Sequence, residues 1–478
     1  MKAPKTQART SGTSILFEML GERPHLHDID DYIAAGGYEQ LRRALGMETA
    51  ELIDEVKASG IRGRGGAGFP SGLKMSFIPV DSEQPKYLVC NADESEPGTA
   101  KDREIMERQP HLLIEGCLIA AAAIRSQDAF IYIRGEYLEP YEILVEAARQ
   151  AQERGFIGPD VAGSGRAINL IIHRGAGAYI CGEETGLLSS LNGDRGQPTV
   201  KPPFPAISGL YQAPTLVNNV ETLASLPRIL EMGGEAFGQV GPNPRSTGTR
   251  VFTVSGCVQK PGNFEVELGA PMSHLVNELA GGVPEGRTLK AVIPGGSSMP
   301  VILPDQLDTP LDYDRFAALG TSLGSGAVVV LDDSVSMPQL ALRVAEFYRH
   351  ESCGKCTPCR EGTSWAVDIL TRICSGNGRP GDTELLEDVC ERIDGNCLCP
   401  LGEAMAWPTK SYIRHFREEF HDLIRTGRVS ADERTLDAIT THVVDERLMR
   451  GSQVQFTGRL DRGSLPRMGA RPAAGGPS

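Results

Sequence analysis

The chain has 478 residues, 40% apolar and 23% charged, with a formal net charge of −14. That is the composition of a globular protein long enough for roughly two to four domains. With no long basic run it excludes nucleic acid as a main partner. Its longest apolar runs, such as CLIAAAAI from Cys117 to Ile124, are too short for a membrane helix.

The start, MKAPKTQARTSGTSILFEML, is basic and Ser/Thr-rich, and Glu18 interrupts its short apolar part. It reads as a ragged arm over residues 1–30 rather than a secretory signal, with a cleaved organellar peptide as the alternative. Up to about Leu230, helical patterns (ELIDEVKASG, with Leu52, Ile53 and Val56 on one face) alternate with β-rich runs (KYLVCNA, AFIYIRGEY, INLIIHRG). A layered α/β domain is expected.

Within that region GIRGRGGAGFPSGLK holds six glycines in thirteen residues, including G-x-G-x-x-G at Gly63, Gly65 and Gly68. A helix rather than a strand precedes it, so an ordinary dinucleotide fold does not start here. Backbone this bare beside Arg64, Phe69 and Lys74 suits an anionic, phosphate-bearing ligand; a merely flexible loop is the alternative. NADESEPGTAKD sets Asp93, Glu94 and Glu96 just after a strand, to accept bonds from ribose hydroxyls or a ring NH, unless it is only a solvated acidic turn. HRGAGAYICGEETGLLSSLNG adds a second glycine turn with Tyr179, Glu183 and Glu184, and the stretch from Lys201 to Pro227 adds Phe204, Asn218, Asn219 and Thr222. Aromatic faces and side-chain amides suit one large, flat, phosphorylated cofactor, a nucleotide or flavin.

GGEAFGQVGPNPRSTG reads as a boundary. TRVFTVSG, a KPG turn and NFEVELG read as a hairpin, followed by a short helix (SHLVNELAGG) and a strand (KAVIPGG) in a small α+β module. From about Ser336 the period becomes helical: MPQLALRVAEFYRHE, TSWAVDILTRIC, DTELLEDVCERID and AMAWPTKSYIRHFREEFHDLIRTG predict a four-helix bundle. GSLPRMGARPAAGGPS has the composition of a disordered tail.

The eleven cysteines argue for a reducing compartment. Cys90, Cys117, Cys181, Cys257, Cys374 and Cys390 are scattered and read as buried thiols. Between the first and second bundle helices, Cys353, Cys356 and Cys359 form C-x2-C-x2-C, and a cysteine before proline follows between the third and fourth. A triplet plus one is the pattern of a 4Fe–4S cluster, whereas zinc more often takes two C-x2-C pairs. Both Cys397 and Cys399 lie in the second loop; Pro400 after Cys399 favours Cys399 as the fourth ligand.

Together these stretches, with KPPFPA, NNVETLASLP, ESCGKCTPCREG and CPLGEAMAWP in that order from about Tyr32 to about Arg425, closely resemble the flavin-bearing, NADH-oxidising subunits of respiratory complex I, the NADH:quinone oxidoreductases. The resemblance implies an FMN- and NADH-binding α/β domain (31–240), a ubiquitin-like β-grasp module (248–335), a helical bundle with one 4Fe–4S cluster (336–445) and a tail (446–478). It assigns FMN to Gly63, Arg64, Gly65, Lys74, Asn91, Asp93, Glu94, Asn218, Asn219 and Thr222, and adds Gly66, Ala67, Gly68, Gly182, Glu183 and Val217 to the cofactor-binding residues. NADH falls to Phe69, Phe77, Glu96, Tyr179, Glu184 and Phe204, and the cluster to Cys353, Cys356, Cys359 and Cys399.

No residue is assigned as general acid or base; Glu94 and Glu183 would shape the charge around the flavin and nicotinamide, and the acidic site would disfavour NADPH. The implied partners are a small thioredoxin-like 2Fe–2S subunit and a large iron–sulfur subunit of the peripheral arm. The implied location is the cytoplasmic face of a bacterial inner membrane, without direct insertion. Diaphorase subunits of NAD-reducing hydrogenases and formate dehydrogenases share these motifs; some carry a fused N-terminal cluster domain, for which too few residues precede Gly63. A non-catalytic NADH-sensing scaffold is the reading from another class, and the intact cysteine set argues against it.

Overall fold

The computed structural model describes residues 9–11, 14–21 and 23–427. The expected tail and residues 428–445 of the expected bundle segment lie outside the described residues. The described strands are β1 (Arg9–Ser11), β2 (Tyr87–Ala92), β3 (Asp128–Ile133), β4 (Asn169–Arg174), β5 (Thr215–Asn219), β6 (Thr249–Gly256), β7 (Gly262–Glu267), β8 (Leu289–Ile293) and β9 (Ala327–Asp332).

Strands β2 to β5 form an all-parallel sheet in the order β4-β3-β2-β5. Alternation along β2 sends Leu88, Cys90 and Ala92 into one core and Val89 into another, so the sheet is covered on both faces. The first core is built on the helix Pro110–Ala123, whose every residue is buried. It lies so close to the helix Val220–Met232 that a Cβ on Gly116 would sit 2.0 Å from the Leu223 carbonyl oxygen. The CLIAAAAI run is thus a core helix, and among the described residues no helix is long and apolar enough to cross a membrane.

The second sheet has the order β1-β7-β6-β9-β8. The hairpin β6/β7 is antiparallel as expected, while β9 joins β6 in parallel. SHLVNELAGG contributes only a π-helical stretch, His274–Leu279. Four helices follow: Met337–Glu351, Thr357–Cys374, Asp382–Ile393 and Leu401–Thr426.

The described part of the N-terminal arm corrects the expectation of a ragged segment. The Glu265 carboxylate accepts from Ser14 Oγ (2.7 Å) and from the amides of Ile15, Leu16 and Phe17 (2.8, 2.7 and 3.1 Å). These bonds let Ile15, Leu16 and Phe17 bury their side chains in the first core. Of the six scattered cysteines all are buried except Cys374, which is half-buried.

Candidate functional site

From β2 the chain steps outward to β3 and β4, then crosses back to lay β5 on the other side of β2. A parallel sheet opens a crevice where its strand order reverses, at the carboxyl ends of the strands on either side. Here those are β2 and β5, with Asn91 in register with Asn219. Asn91, Asp93, Asn218 and Asn219 therefore come together although more than a hundred residues separate the pairs.

The first glycine loop runs between the helices Thr49–Ala58 and Ser71–Ser76, without the strand a dinucleotide fingerprint requires. Gly63 N donates to Phe69 O at 2.8 Å and closes the loop. Gly65 backs onto Asn219, where an added Cβ would meet the Asn219 Cβ at 3.1 Å. Gly65 and Ala67 are exposed, while Gly68 is buried at a positive φ of 62°. Arg64 departs from the ligand-facing picture its charge suggests: its side chain is 1% exposed. Its guanidinium donates to Tyr313 Oη (2.8 Å), Thr247 O (2.8 Å) and Thr249 O (3.0 Å), and its amide to Thr222 Oγ1 (2.9 Å). What Arg64 offers the crevice is therefore backbone.

The second glycine turn closes the other wall. Gly182 O accepts from Asn91 Nδ2 at 2.9 Å. Glu183 caps the helix Glu184–Leu191 by accepting from the amides of Thr185 (2.8 Å) and Gly186 (2.9 Å). Lys74 Nζ bridges Glu184 (2.6 Å) and Val217 O (2.7 Å), and Lys201 also reaches Glu184 at 3.1 Å. Burial alone would raise the Glu184 carboxyl; the two ammonium groups hold it below its ordinary range. Phe69, Phe77 and Phe204 are 45%, 49% and 58% exposed, and the Phe69 and Phe77 rings lie 6.1 Å apart. Open aromatic faces next to a crevice are stacking surfaces.

Glu96 joins three parts of the molecule, accepting from Tyr179 Oη (2.7 Å), Ser298 N (2.8 Å) and Tyr348 Oη (3.4 Å). Glu94 is held at the start of the helix Lys101–Arg108 by the amides of Asp102 (2.8 Å) and Arg103 (3.0 Å) and by Tyr137 Oη (3.0 Å). Burial, reinforced by the Asp102 charge, pushes its carboxyl up to about 7.

Below the first loop lies a charged cluster that sequence reasoning missed. Lys101 Nζ pairs with Asp102 (2.6 Å) and Glu221 (2.9 Å), and all three side chains are essentially buried. Asn219 is tied into it, donating to Asp102 at 2.6 Å and accepting from Lys101 at 3.3 Å. Its signal was a carboxylate, Glu221, set beside Val220, Leu223 and Ala224 at the start of a largely apolar helical run.

Two buried polar atoms in the crevice have no protein partner, the acceptor Asp93 Oδ2 and the donor Asn218 Nδ2. Buried polar atoms are nearly always satisfied, so this pair calls for a ligand with a polar edge. A flavin ring edge, carrying both donors and acceptors, fits. Burial drives the Asp93 carboxyl up to about 7, against the Ser95 hydroxyl and Arg134, which lower it. The unfolded value is near 3.9, so between about pH 4 and 7 the folded chain binds more protons than the unfolded one. The stability Asp93 contributes is present below about pH 4 and lost as pH rises through about 7. In the flavin-free protein, Asp93→Asn is expected to gain about 2–3 kcal/mol over the parent between pH 5 and pH 8. Urea midpoints at the two pH values measure this, and a shrinking gap would show that the carboxyl is ionised in the crevice.

In the bundle, Cys353 and Cys356 lie in the connection after Met337–Glu351, and Cys359 is in the first turn of the helix Thr357–Cys374 rather than before it. Cys397 and Cys399 precede Leu401–Thr426, and all five sulfurs pack on one core. The cysteines thus gather around two helix N-termini lacking side-chain caps, whose free amides favour negative charge. Among the described residues no three His, Cys, Asp or Glu side chains converge on one point. A cubane takes one thiolate at each iron corner, so its ligands need only surround it.

The cysteine loop is fastened to the crevice. Gln197 Nε2 donates to Cys353 O (2.9 Å), Lys355 Nζ to Pro198 O (2.6 Å) and Tyr179 N to Glu351 (2.9 Å). Burial raises the Cys399 thiol to about 12, the Leu401 amide opposes this, and the Glu183 charge adds to the rise.

Comparison with known proteins matches this arrangement segment by segment. Residues 56–228 match the Nuo51 FMN-binding domain, 251–302 the SLBB domain and 339–423 the NADH-ubiquinone oxidoreductase-F iron-sulfur binding region. The NADH-quinone oxidoreductase F subunit 2 of Rhizobium meliloti (strain 1021) is 52% identical over 398 residues, 83% of this chain and 94% of the relative. The chain belongs to the F subunits of NADH-quinone oxidoreductase.

The corresponding F subunit of Streptomyces coelicolor (strain ATCC BAA-471 / A3(2) / M145) is 49% identical over 84% of this chain and 88% of its own length. Among solved structures, the NAD+-reducing [NiFe]-hydrogenase in the H2-reduced state superposes with a TM-score of 0.75 at 32% identity, covering 84% of this chain and 67% of that one. As an F subunit the chain is a flavoprotein component of an NADH-oxidising oxidoreductase, with FMN and 4Fe–4S cofactors and NADH as substrate.

Proposed function

We propose that this F subunit holds FMN in the β2/β5 crevice, receives NADH over its aromatic mouth, and hands electrons to a cluster on Cys353, Cys356, Cys359 and Cys399. The observation that carries this reading is the pair of unsatisfied atoms, Asp93 Oδ2 and Asn218 Nδ2, in a crevice hydrogen-bonded to the cysteine loop. FMN, when bound, supplies the conversion of a two-electron hydride from NADH into single electrons that an iron–sulfur cluster can accept.

The protein's own task is to bind, orient and exclude water. The backbone of Gly63 to Gly68 and the Lys74 ammonium hold the anionic cofactor, while Asn91, Asp93 and Asn218 present polar atoms to its ring edge. Phe69, Phe77 and Phe204 supply faces for the adenine and nicotinamide rings, and Tyr179 and Glu96 mark the end nearest the bundle. Glu183 and Glu184 set carboxylates on this wall, steered by Lys74 and Lys201, and their repulsion of the additional phosphate is the proposed basis for disfavouring NADPH. No side chain is required as general acid or base.

The partners proposed are a small thioredoxin-like 2Fe–2S subunit and a large iron–sulfur subunit, in a peripheral arm at the cytoplasmic face of a bacterial inner membrane. The likeness to a hydrogenase module favours a diaphorase role as the second reading, against the higher identity to F subunits. An anaerobic NADH titration of the purified holoprotein, followed by optical and low-temperature EPR spectra, tests the electron path. Loss of the flavin band together with a reduced 4Fe–4S signal is the expected result. Protein loaded with both cofactors but unchanged by NADH would overturn it. Co-purification of a hydrogenase or molybdenum subunit instead of quinone-reductase subunits would favour the second reading.

A further inference from the structure

The first glycine loop is supported from beneath by a residue of the other sheet's unit. Tyr313 opens the helix Tyr313–Ala318 and belongs to the same core as Leu311 and Phe316. Its ring lies against the loop: a Cβ on Gly68 would sit 3.0 Å from it, and the Arg62 guanidinium stacks 4.5 Å from its centroid. Its phenol oxygen accepts from Arg64 Nη1 at 2.8 Å and from Arg250 Nη1 at 3.5 Å. Arg64 and Arg250 are 1% and 0% exposed, so this oxygen stands between two buried guanidinium groups. They hold the phenol below its ordinary pKa although burial pushes it up.

We propose that Tyr313 is a positioning residue for FMN: by engaging Arg62, Arg64 and Gly68 at once, it sets the conformation of the loop that binds the cofactor. The inference rests on the reading of Gly63 to Gly68 as part of the flavin site. Glycine-rich backbone is the most mobile kind, and Gly66 and Gly68 both take positive φ (136° and 62°). A loop arranged before its ligand arrives retains it longer than one that must order on binding. Without the hydroxyl, two buried guanidinium groups face each other with no acceptor between them, and the loop is expected to relax.

The test is the rate of FMN release from the purified, cofactor-loaded full-length protein, read as flavin fluorescence after dilution. Tyr313→Phe keeps the ring and removes one hydroxyl; it is expected to speed release by about tenfold with the cluster EPR spectrum unchanged. Arg62→Gln, which leaves the buried pair intact, is expected to speed release by about threefold and serves if Tyr313→Phe does not fold. Phe316→Ala removes buried volume from the same core without touching the loop. It is expected to lower the thermal midpoint and leave release, measured well below that midpoint, unchanged. Release unchanged in Tyr313→Phe, or in Arg62→Gln where that variant stands in, would overturn the proposal. So would a Phe316→Ala protein that loses FMN as fast, because Tyr313 would then act only through the stability of its unit. Gly65→Val separates the two levels. If it too leaves release unchanged, the loop does not hold FMN and the reading of the site fails. If it alone speeds release, only the role of Tyr313 falls.

Discussion

Cys399→Ser is expected to abolish the reduced 4Fe–4S EPR signal and to bring iron from about four atoms per chain close to none. Cys397→Ser is expected to leave both in place. The expectation rests on a difference between the two sulfur environments. Cys397 Sγ donates to the Ile393 carbonyl oxygen at 3.5 Å, an interaction that requires the protonated thiol. The room it occupies there is kept by Gly402, where a Cβ would come within 2.5 Å of it. Cys399 has the Leu401 amide directed at its sulfur, which favours the thiolate a metal binds. Both sulfurs face two members of the triplet, Cys399 facing Cys353 and Cys359 and Cys397 facing Cys356 and Cys359, so the carbonyl bond of Cys397 and the amide at Cys399 are what tell them apart. NADH is expected to bleach the flavin of the Cys399→Ser protein still, because none of the crevice side chains is a cysteine of the bundle. Exchanged outcomes for the two variants would give Cys397 the ligand role.

The second large effect falls on Lys101. Lys101→Met leaves Asp102 and Glu221, 3% and 2% exposed, without the ammonium group that lies 2.6 and 2.9 Å from them. Breaking a buried ion pair from one side costs about 3–5 kcal/mol, because a charge is left desolvated and unpaired. Burial lowers the Lys101 pKa, but the Asp102, Glu221 and Glu94 carboxylates outweigh it and hold the value above the ordinary one. The ion cluster therefore persists through neutral and mildly alkaline pH. Urea unfolding of the Lys101→Met protein should show the loss, and the double variant with Glu221→Gln should recover part of it. Additive single losses would mean that the two residues do not act as a unit. Because Asn219 takes its orientation from Asp102 and Lys101, weaker FMN retention should accompany the lost stability.

Much of the bundle and the chemistry was legible in the chain. The helix Met337–Glu351 coincides with its apolar period, and the other three begin or end within a few residues of theirs, since a repeat of 3.6 over several turns is a strong local signal. The cysteine spacing and both glycine turns likewise speak through adjacent residues. Strand β5 was hidden, because TLVNN is short and follows a proline-rich stretch that reads as loop. Strand β9, AVVVLD, is buried at every position and so lacks the alternation that marks a half-exposed strand.

The sequence by itself determined the cofactor chemistry and the local elements, because ligand spacing, bare backbone and helical period are properties of neighbouring residues. Only the tertiary structure decided where those parts meet and which charges are interior. Arg64 is drawn inward by Tyr313, 249 positions away, and the arm is held by Glu265, 250 positions beyond Ile15. The crossover that brings Asn219 beside Asn91 is a choice of strand order, which depends on closing long loops and covering both faces of a sheet. Such contacts are energies between distant residues, and no window of sequence contains both partners.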